Sequence, residues 1–296
     1  MQRSTLRADA LMLLTAFIWG TAFVAQSAAM EHIGPFLFSG LRFLLGALCL
    51  WPLIARQSPE GREPFTDRGL LLAGAAMGLA LALGINLQQV GLLFTSVTNA
   101  GFITGLYVII VPLIGLLLGH ATGLGTWLGA ALAVLGMYLL SVTNGLQVAS
   151  GDWLQLLGAF AWGGHVLLVG VFSNRHDVLR LAFLQFAFCA VASLLLALCF
   201  EPLNAAAIVA AGPALLYGGV VSVGLGYTLQ VVSQKGAIAS HAAVIFSLEA
   251  VFAALAGALF LGEQLSGRGY LGCALMLAGM LLAQLWPHRP GRSAQS

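Results

Sequence analysis

A small set of side chains could do chemistry in this otherwise apolar chain, because each lies inside a hydrophobic run where a polar group needs a reason. Two are charged: Glu249, in IFSLEAVFAAL, and Arg42, in GLRFLLG. A charge at the middle of a bilayer costs about 3 kcal/mol, so each requires a partner, a wet cavity or a function. Glu249 can hold an ammonium group or exchange a proton, or it can be an ion pair that only ties helices together. Arg42 can snorkel toward an interface or pair with Glu249, a structural role in either case. His165 follows Trp162 by three residues and so shares its helical face. Trp19, Trp162, Tyr107 and Tyr227 offer ring faces, and Asn86, Gln89 and Gln230 offer hydrogen bonds. Together they describe an aromatic, mostly apolar pocket with a few orienting polar groups, which is the chemistry of holding a small molecule.

Chemistry that would transform a substrate has no motif here. There is no H-E-x-x-H, nucleophile elbow or P-loop, and Gly123/Gly125 and Gly224/Gly226 supply only the first part of a dinucleotide fingerprint. The expectation is a protein that is not an enzyme and needs no cofactor and no metal. Cys49, Cys189, Cys199 and Cys273 stand singly and read as small packing residues.

Elements able to position these side chains must be membrane helices. Of 296 residues, 60% are hydrophobic and 7% charged, whereas a soluble domain carries roughly 25% charged residues. Apolar runs long enough to cross a hydrocarbon core about 30 Å thick follow one another with short polar breaks. They predict an all-α integral membrane protein with ten transmembrane helices, at 8–29, 34–55, 69–91, 96–118, 124–142, 152–173, 178–200, 208–234, 239–261 and 266–286. Pro112 and Pro213 mark expected kinks. Ten of the twelve basic residues fall on one side of this arrangement: Arg3, Arg7, Arg56, Arg62, Arg68, Arg175, Arg180, Lys235, Arg289 and Arg292. Arg268 lies alone on the other side. The excess predicts cytoplasmic N- and C-termini in a multi-pass protein of the inner (plasma) membrane, as an even number of spans also requires.

The chain repeats itself. FIWGTAF (17–23) returns as FAWGGHV (160–166), a shift of 143 residues, and the same shift aligns Asp9 with Asp152, Phe43 with Phe186, Gly119 with Gly262 and WLGAALAVLGMYLL (127–140) with YLGCALMLAGMLLA (270–283). Arg42 falls on Gln185, so that position keeps polarity and loses charge. Two units follow, 1–143 and 144–296, each of five spans. An odd number makes the second unit enter the membrane from the opposite side, which gives inverted repeats around a site near the midplane. The first span is then a retained unit, although Arg3, Arg7 and the run ending AQSAA have the look of a secretory signal.

Two five-span repeats that each begin with a Trp-Gly signature resemble the drug/metabolite transporter superfamily, in its EamA-type branch. The run VIFSLEAVFAALAGALFLGEQLSGRGYLGCALMLAG (244–279), YTLQVVSQKGAIASHAAVI (227–245) and the Arg42–Phe43 pair carry the resemblance. Where that family usually has Pro after the motif Glu, this chain has Ala250, and Pro112 in the other half is the candidate to make the kink instead. The resemblance implies export of amino acids or related metabolites, and sometimes of toxic organic compounds, across a bacterial inner membrane. The aromatic amino acid exporters known as YddG are a nearer likeness within it, since an aromatic pocket suits aromatic substrates.

The function expected is alternating-access export of small metabolites, amino acids with aromatic or hydrophobic side chains first among them. The alternative is proton-coupled multidrug efflux of hydrophobic organic cations, with Glu249 as the exchanging group. The central cavity is expected from spans one, three, four, six, eight and nine, lined by Trp19, Asn86, Gln89, Tyr107, Trp162, His165, Tyr227, Gln230 and Glu249, with Arg42, Gln185 and Pro112 in structural roles. Its partners would be a small-molecule substrate and the lipid bilayer, without nucleic acid, and the protein would work as a monomer.

Overall fold

Leu, Ala and Gly dominate the runs between polar breaks, and in lipid a helix alone satisfies the backbone of a single segment. The computed structural model describes residues 2–57, 63–119, 122–141, 149–264 and 266–286, and all its regular elements among these are helical. The first half contains α1 (Gln2–Ala29), α2 (Pro35–Ala55), α3 (Arg68–Gly91), α4 (Val97–Gly105), α5 (Tyr107–Leu117) and α6 (Leu124–Ser141). The second contains α7 (Ser150–Phe172), α8 (Val178–Phe200), α9 (Ala205–Ala210), α10 (Gly212–Leu216), a π-helix (Tyr217–Tyr227), α11 (Thr228–Gln234), α12 (Ala239–Phe246), α13 (Glu249–Phe260) and α14 (Gly267–Leu285). The expected boundary at 143/144, together with Arg62, Arg289 and Arg292, lies outside the described residues.

Eight stretches among the described residues are long and apolar enough to cross a membrane: Leu6–Ala29, Pro35–Ala55, Arg68–Gly91, Val97–Leu117, Ser150–Phe172, Val178–Phe200, Gly212–Gln234 and Ala239–Phe260. Two shorter apolar stretches, Leu124–Leu139 and Gly267–Ala283, make up the rest. Helix starts are written in the sequence: Asp67 accepts the Leu70 N–H at 2.8 Å and Asp177 that of Arg180 at 2.9 Å. Gly119 and Gly262, the pair matched by the 143-residue shift, both take left-handed φ, 78° and 69°, and close α5 and α13.

The shift is also a spatial operation. A methyl on Gly129 would stand 2.6 Å from the Gly279 carbonyl oxygen, and a methyl on Gly279 2.6 Å from that of Gly129, while Gly136 abuts the Gly272 carbonyl in the same way. Exchanging each glycine for its mate in the other repeat, Gly129 for Gly272 and Gly279 for Gly136, turns the first pair into the second with the partners exchanged, which is what a two-fold axis does. Phe43 and its mate Phe186 face each other with ring centroids 6.1 Å apart, so the axis passes between α2 and α8 as well as between α6 and α14. Small residues let these backbones approach closely, which is the means of helix association in lipid.

Regularity is interrupted where the half-membrane ends meet. In the first half α4 stops and α5 starts around Leu106, through i→i−3 bonds of Leu106 to Ile103 and Ile109 to Leu106. In the second half α12 and α13 part at Ser247–Leu248, through similar bonds of Leu248 to Ile245 and Val251 to Leu248. The Ser247 hydroxyl donates back to the Val244 carbonyl there, which loosens the helix without a proline. α5 runs through Pro112, and the interruption between α4 and α5 lies six residues earlier, at Leu106. The expected eighth span also starts later than 208, because Pro213 sits in the first turn of a new helix that follows the separate α9. Its middle is an 11-residue π-helix with Gly218, Gly219, Gly224 and Gly226. Such helices are rare and collect at functional sites.

Candidate functional site

Both broken helices deliver a side chain into the same space. Tyr107 is the first residue of α5 and Glu249 the first of α13, so the carboxylate lies at the positive end of a half-helix. Around them a central cavity is lined by Trp19, Phe23 and Gln26 of α1, Arg42 of α2, Ile85 and Gln88 of α3 and Thr104 of α4. Trp162 and Val166 of α7, Ser222 and Tyr227 of the π-helix and Gln230 of α11 complete the wall. Tyr227 is the hub of the rings, 4.6 Å from Trp19 and 6.1 Å from Trp162 between centroids, nearly parallel to the latter at 21°. Phe43 adds a ring 5.6 Å from Tyr227.

The cavity is closed down. About 20 Å³ is open to water, room for one molecule, whereas ligand pockets run to roughly 300–1,000 Å³. Yet polar atoms on its walls lack partners: Trp19 Nε1, Arg42 Nε, Tyr107 OH, Gln230 Oε1 and Glu249 Oε1. The Tyr107 hydroxyl and the Glu249 carboxylate are neighbours. Buried polar atoms left unpaired in a native site point to a group that arrives later.

Arg42 corrects one expectation. It is 1% exposed, so it does not snorkel, and it forms no ion pair with Glu249. Its Nη2 donates to Gln26 Oε1 at 3.4 Å, and its guanidinium lies 4.9 Å from the Phe38 ring centroid and 5.5 Å from that of Phe43. Its repeat mate Gln185 accepts at Oε1 from His165 Nε2 at 2.8 Å.

Of the residues expected to line the site, Trp19, Tyr107, Trp162, Tyr227, Gln230 and Glu249 come together around the cavity. Asn86 and Gln89 do not, and His165, outside the cavity lining, sits edge-on to the Trp162 and Tyr227 rings at 6.1 and 6.2 Å between centroids. Asn86 donates to Ser193 Oγ and the Ala82 carbonyl, both at 2.8 Å; Gln89 donates to the Gln26 carbonyl at 3.2 Å; His165 turns to Gln185. Gln88, Gln26 and Thr104, polar residues of the same helical faces but outside that expected set, also line the cavity. Gln88 Oε1 accepts from Trp162 Nε1 at 3.2 Å, and Gln26 Oε1 accepts from Gln88 Nε2 at 3.0 Å. The signal for Gln26 was its place on the helical face of Trp19 and Phe23, seven and three residues earlier.

A second, wider cavity of about 510 Å³ lies between α5, α7 and the segment joining α11 to α12. Val111, Pro112, Leu167 and Gly170 wall it, with Thr122 and Ser240 among the few polar groups. It opens at the end of the molecule where α5 stops and α12 starts. At that end Glu63 Oε1 meets His176 Nδ1 at 2.6 Å and Asp9 meets His241 Nε2 at 3.0 Å. Glu63, Asp67 and His176 bring ligand atoms within 4.8 Å of one another, but Glu63 Oε2 is also taken by the Asp177 N–H and Asp67 caps α3, so the group is a hydrogen-bonded brace between loops.

The chain matches the EamA-like transporter family twice, over residues 6–142 and 149–285. It is 32% identical over 285 residues to a protein of Archaeoglobus fulgidus named an uncharacterized transporter, covering 95% of this chain and 86% of that one. A second relative, the uncharacterized transporter YwfM of Bacillus subtilis, is 26% identical over 299 residues, covering 94% of each. One solved crystal structure superposes with a TM-score of 0.75 at 21% identity over 94% of this chain and 96% of the other, a likeness of fold.

Proposed function

The chain belongs to the EamA-like transporter family, and on that premise we propose that it carries α-amino acids with aromatic or large apolar side chains out of the cell, by alternating access across the inner membrane. The observation that carries this reading is the pair of opposite charges on one aromatic cavity. Arg42 and Glu249 line it together, form no ion pair with each other, and each keeps an unpartnered atom. An unpaired buried charge is costly, so a ligand bearing a carboxylate and an ammonium group satisfies both at once. Trp19, Trp162 and Tyr227 then flank the ligand's side chain.

In this reading α6 and α14 also cross, giving ten spans in two inverted units, 1–143 and 144–296. Alternation of the helices puts Arg7, Arg56, Arg68, Arg175, Arg180 and Lys235 at the end where α1 begins, which is the cytoplasmic end by charge bias. The 510 Å³ cavity lies at that same end and is the way in from the cytoplasm. The protein works as a monomer.

A second reading, proton-coupled efflux of hydrophobic cations, is favoured by the Glu249 oxygen that lacks a partner. It leaves a buried cation, Arg42, facing a cationic cargo. Counterflow in proteoliposomes separates the two. Labelled tryptophan or phenylalanine exchanges against the free amino acid, and neither the methyl ester nor the N-acetyl derivative competes. Competition by the ester and by tetraphenylphosphonium equal to that of the amino acid overturns the zwitterion reading.

A further inference from the structure

Zwitterion recognition leaves four glutamines unexplained. Gln26 near the end of α1, Gln88 and Gln89 near the end of α3 and Gln155 near the start of α7 are all buried, and the direction of their helices puts them toward one end of the molecule. They hold one another. Gln88 and Gln89 both donate to Gln26, at 3.0 Å to its side-chain oxygen and 3.2 Å to its carbonyl, and Gln155 donates to the Gln88 carbonyl at 2.9 Å. Buried amides are tolerated only when paired, so this layer is a lock whose parts depend on each other.

Beside the layer Phe23, Leu92, Val97, Ala100 and Ala253 pack in a separate apolar cluster. Glu263, in the segment after α13, accepts the backbone N–H groups of Val97 and Thr98 at 3.1 and 3.3 Å. These contacts join α1 and α13 to α3 and α4 at the end away from the 510 Å³ cavity. Three contacts link the lock to side chains of the cavity. Trp162 Nε1 donates to Gln88 Oε1 at 3.2 Å and Thr104 Oγ1 to Gln155 Oε1 at 3.4 Å. The only charged one, Arg42 Nη2, reaches Gln26 Oε1, the atom that Gln88 also uses, where at 3.4 Å it is the longer of the two bonds.

We infer that Gln26 is the latch of the outer gate and that Arg42 couples the latch to the contents of the cavity. A ligand carboxylate draws the guanidinium away from Gln26 Oε1, and the α1–α3 contact is then left to the amides alone. The inference rests on the cavity taking a carboxylate-bearing ligand, as proposed above.

The test is the rate at which an Ala100→Cys thiol, in a background with the four native cysteines replaced, reacts with a membrane-impermeant maleimide from the outer face. Without ligand, Gln26→Met and, separately, Gln88→Met raise the rate roughly three- to tenfold, the worth of one net hydrogen bond. An unchanged rate in a well-folded, monodisperse sample of either variant overturns the latch. With saturating tryptophan the parent labels faster and Gln26→Met gains nothing further; an equal gain in both overturns the coupling. Fast ligand-free labelling of Gln26→Met with no response of the parent to any amino acid upholds the latch and removes the substrate reading.

Discussion

Gly129 lies directly on the Gly279 carbonyl, and Gly136, its neighbour two turns on, lies on Gly272. The crossing of α6 and α14 at the far side of the molecule is thus a self-complementary contact, as a two-fold axis demands. A side chain at either glycine must push two backbones apart. Gly129→Val is expected to destabilise the protein by about 2 kcal/mol, the usual scale of overpacking. A thermal shift in detergent measures it, and an unchanged midpoint refutes the close contact.

Tyr227 touches both indoles, so the three rings form one wall. Trp19→Ala and Trp162→Ala should each lower counterflow of aromatic amino acids at least tenfold while leaving membrane insertion intact, since ring pairs contribute about 1 kcal/mol beyond the area they bury. Trp162→Phe should fall between, because it keeps the ring and loses the bond to Gln88. Full activity in both alanine variants removes the rings from the binding wall.

Arg42→Gln installs what the second repeat already has at Gln185. Affinity for the zwitterion should drop more than tenfold, the scale of a lost charge-assisted contact of about 1.5–3 kcal/mol. Folding stability should hold or rise, because an unpaired buried cation has gone. Isothermal binding and thermal unfolding on the same sample read the two effects apart. A variant that loses stability and keeps affinity assigns Arg42 to structure alone.

Glu263 accepts two N–H groups and the Thr98 hydroxyl at the start of α4. Glu263→Gln keeps the shape and removes the charge from a helix N-terminus, an effect of about 1 kcal/mol. Opening at the outer end should become easier, and maleimide labelling of Ala100→Cys should rise roughly fivefold, the same quantity read as a rate. A rate equal to the parent's shows that this cap is not part of the closure.

Much of the fold could be read from paired residues. Gly119 and Gly262 align by the 143-residue shift and both turn left-handed; Phe43 and Phe186 align and touch. The site was harder, for a reason that Gln88 and Gln89 show. Adjacent residues on a helix point about 100° apart, and a helix that is apolar all round gives no stripe to say which way is inward. Gln89 therefore reads as well as Gln88, although only Gln88 lines the cavity. Asn86 was lost in the same way to Ser193 on α8, while His165 bonds to Gln185 there and keeps its ring against Trp162 and Tyr227. The break at Leu106 escaped because Pro112 drew attention to itself, whereas i→i−3 turns carry no composition of their own.

Tyr227 aligns with Gly84, and Trp162 rests on that glycine, with a methyl there 3.1 Å from the indole. Two identical halves exchanged by a two-fold axis would give inward- and outward-facing forms of equal free energy, each the image of the other. Here one half has a phenol ring and a π-helix where the other has a glycine on an ordinary helix. Under the alternating access proposed above, the degeneracy is lifted: one side becomes the resting side, and a ligand must shift that preference before it crosses.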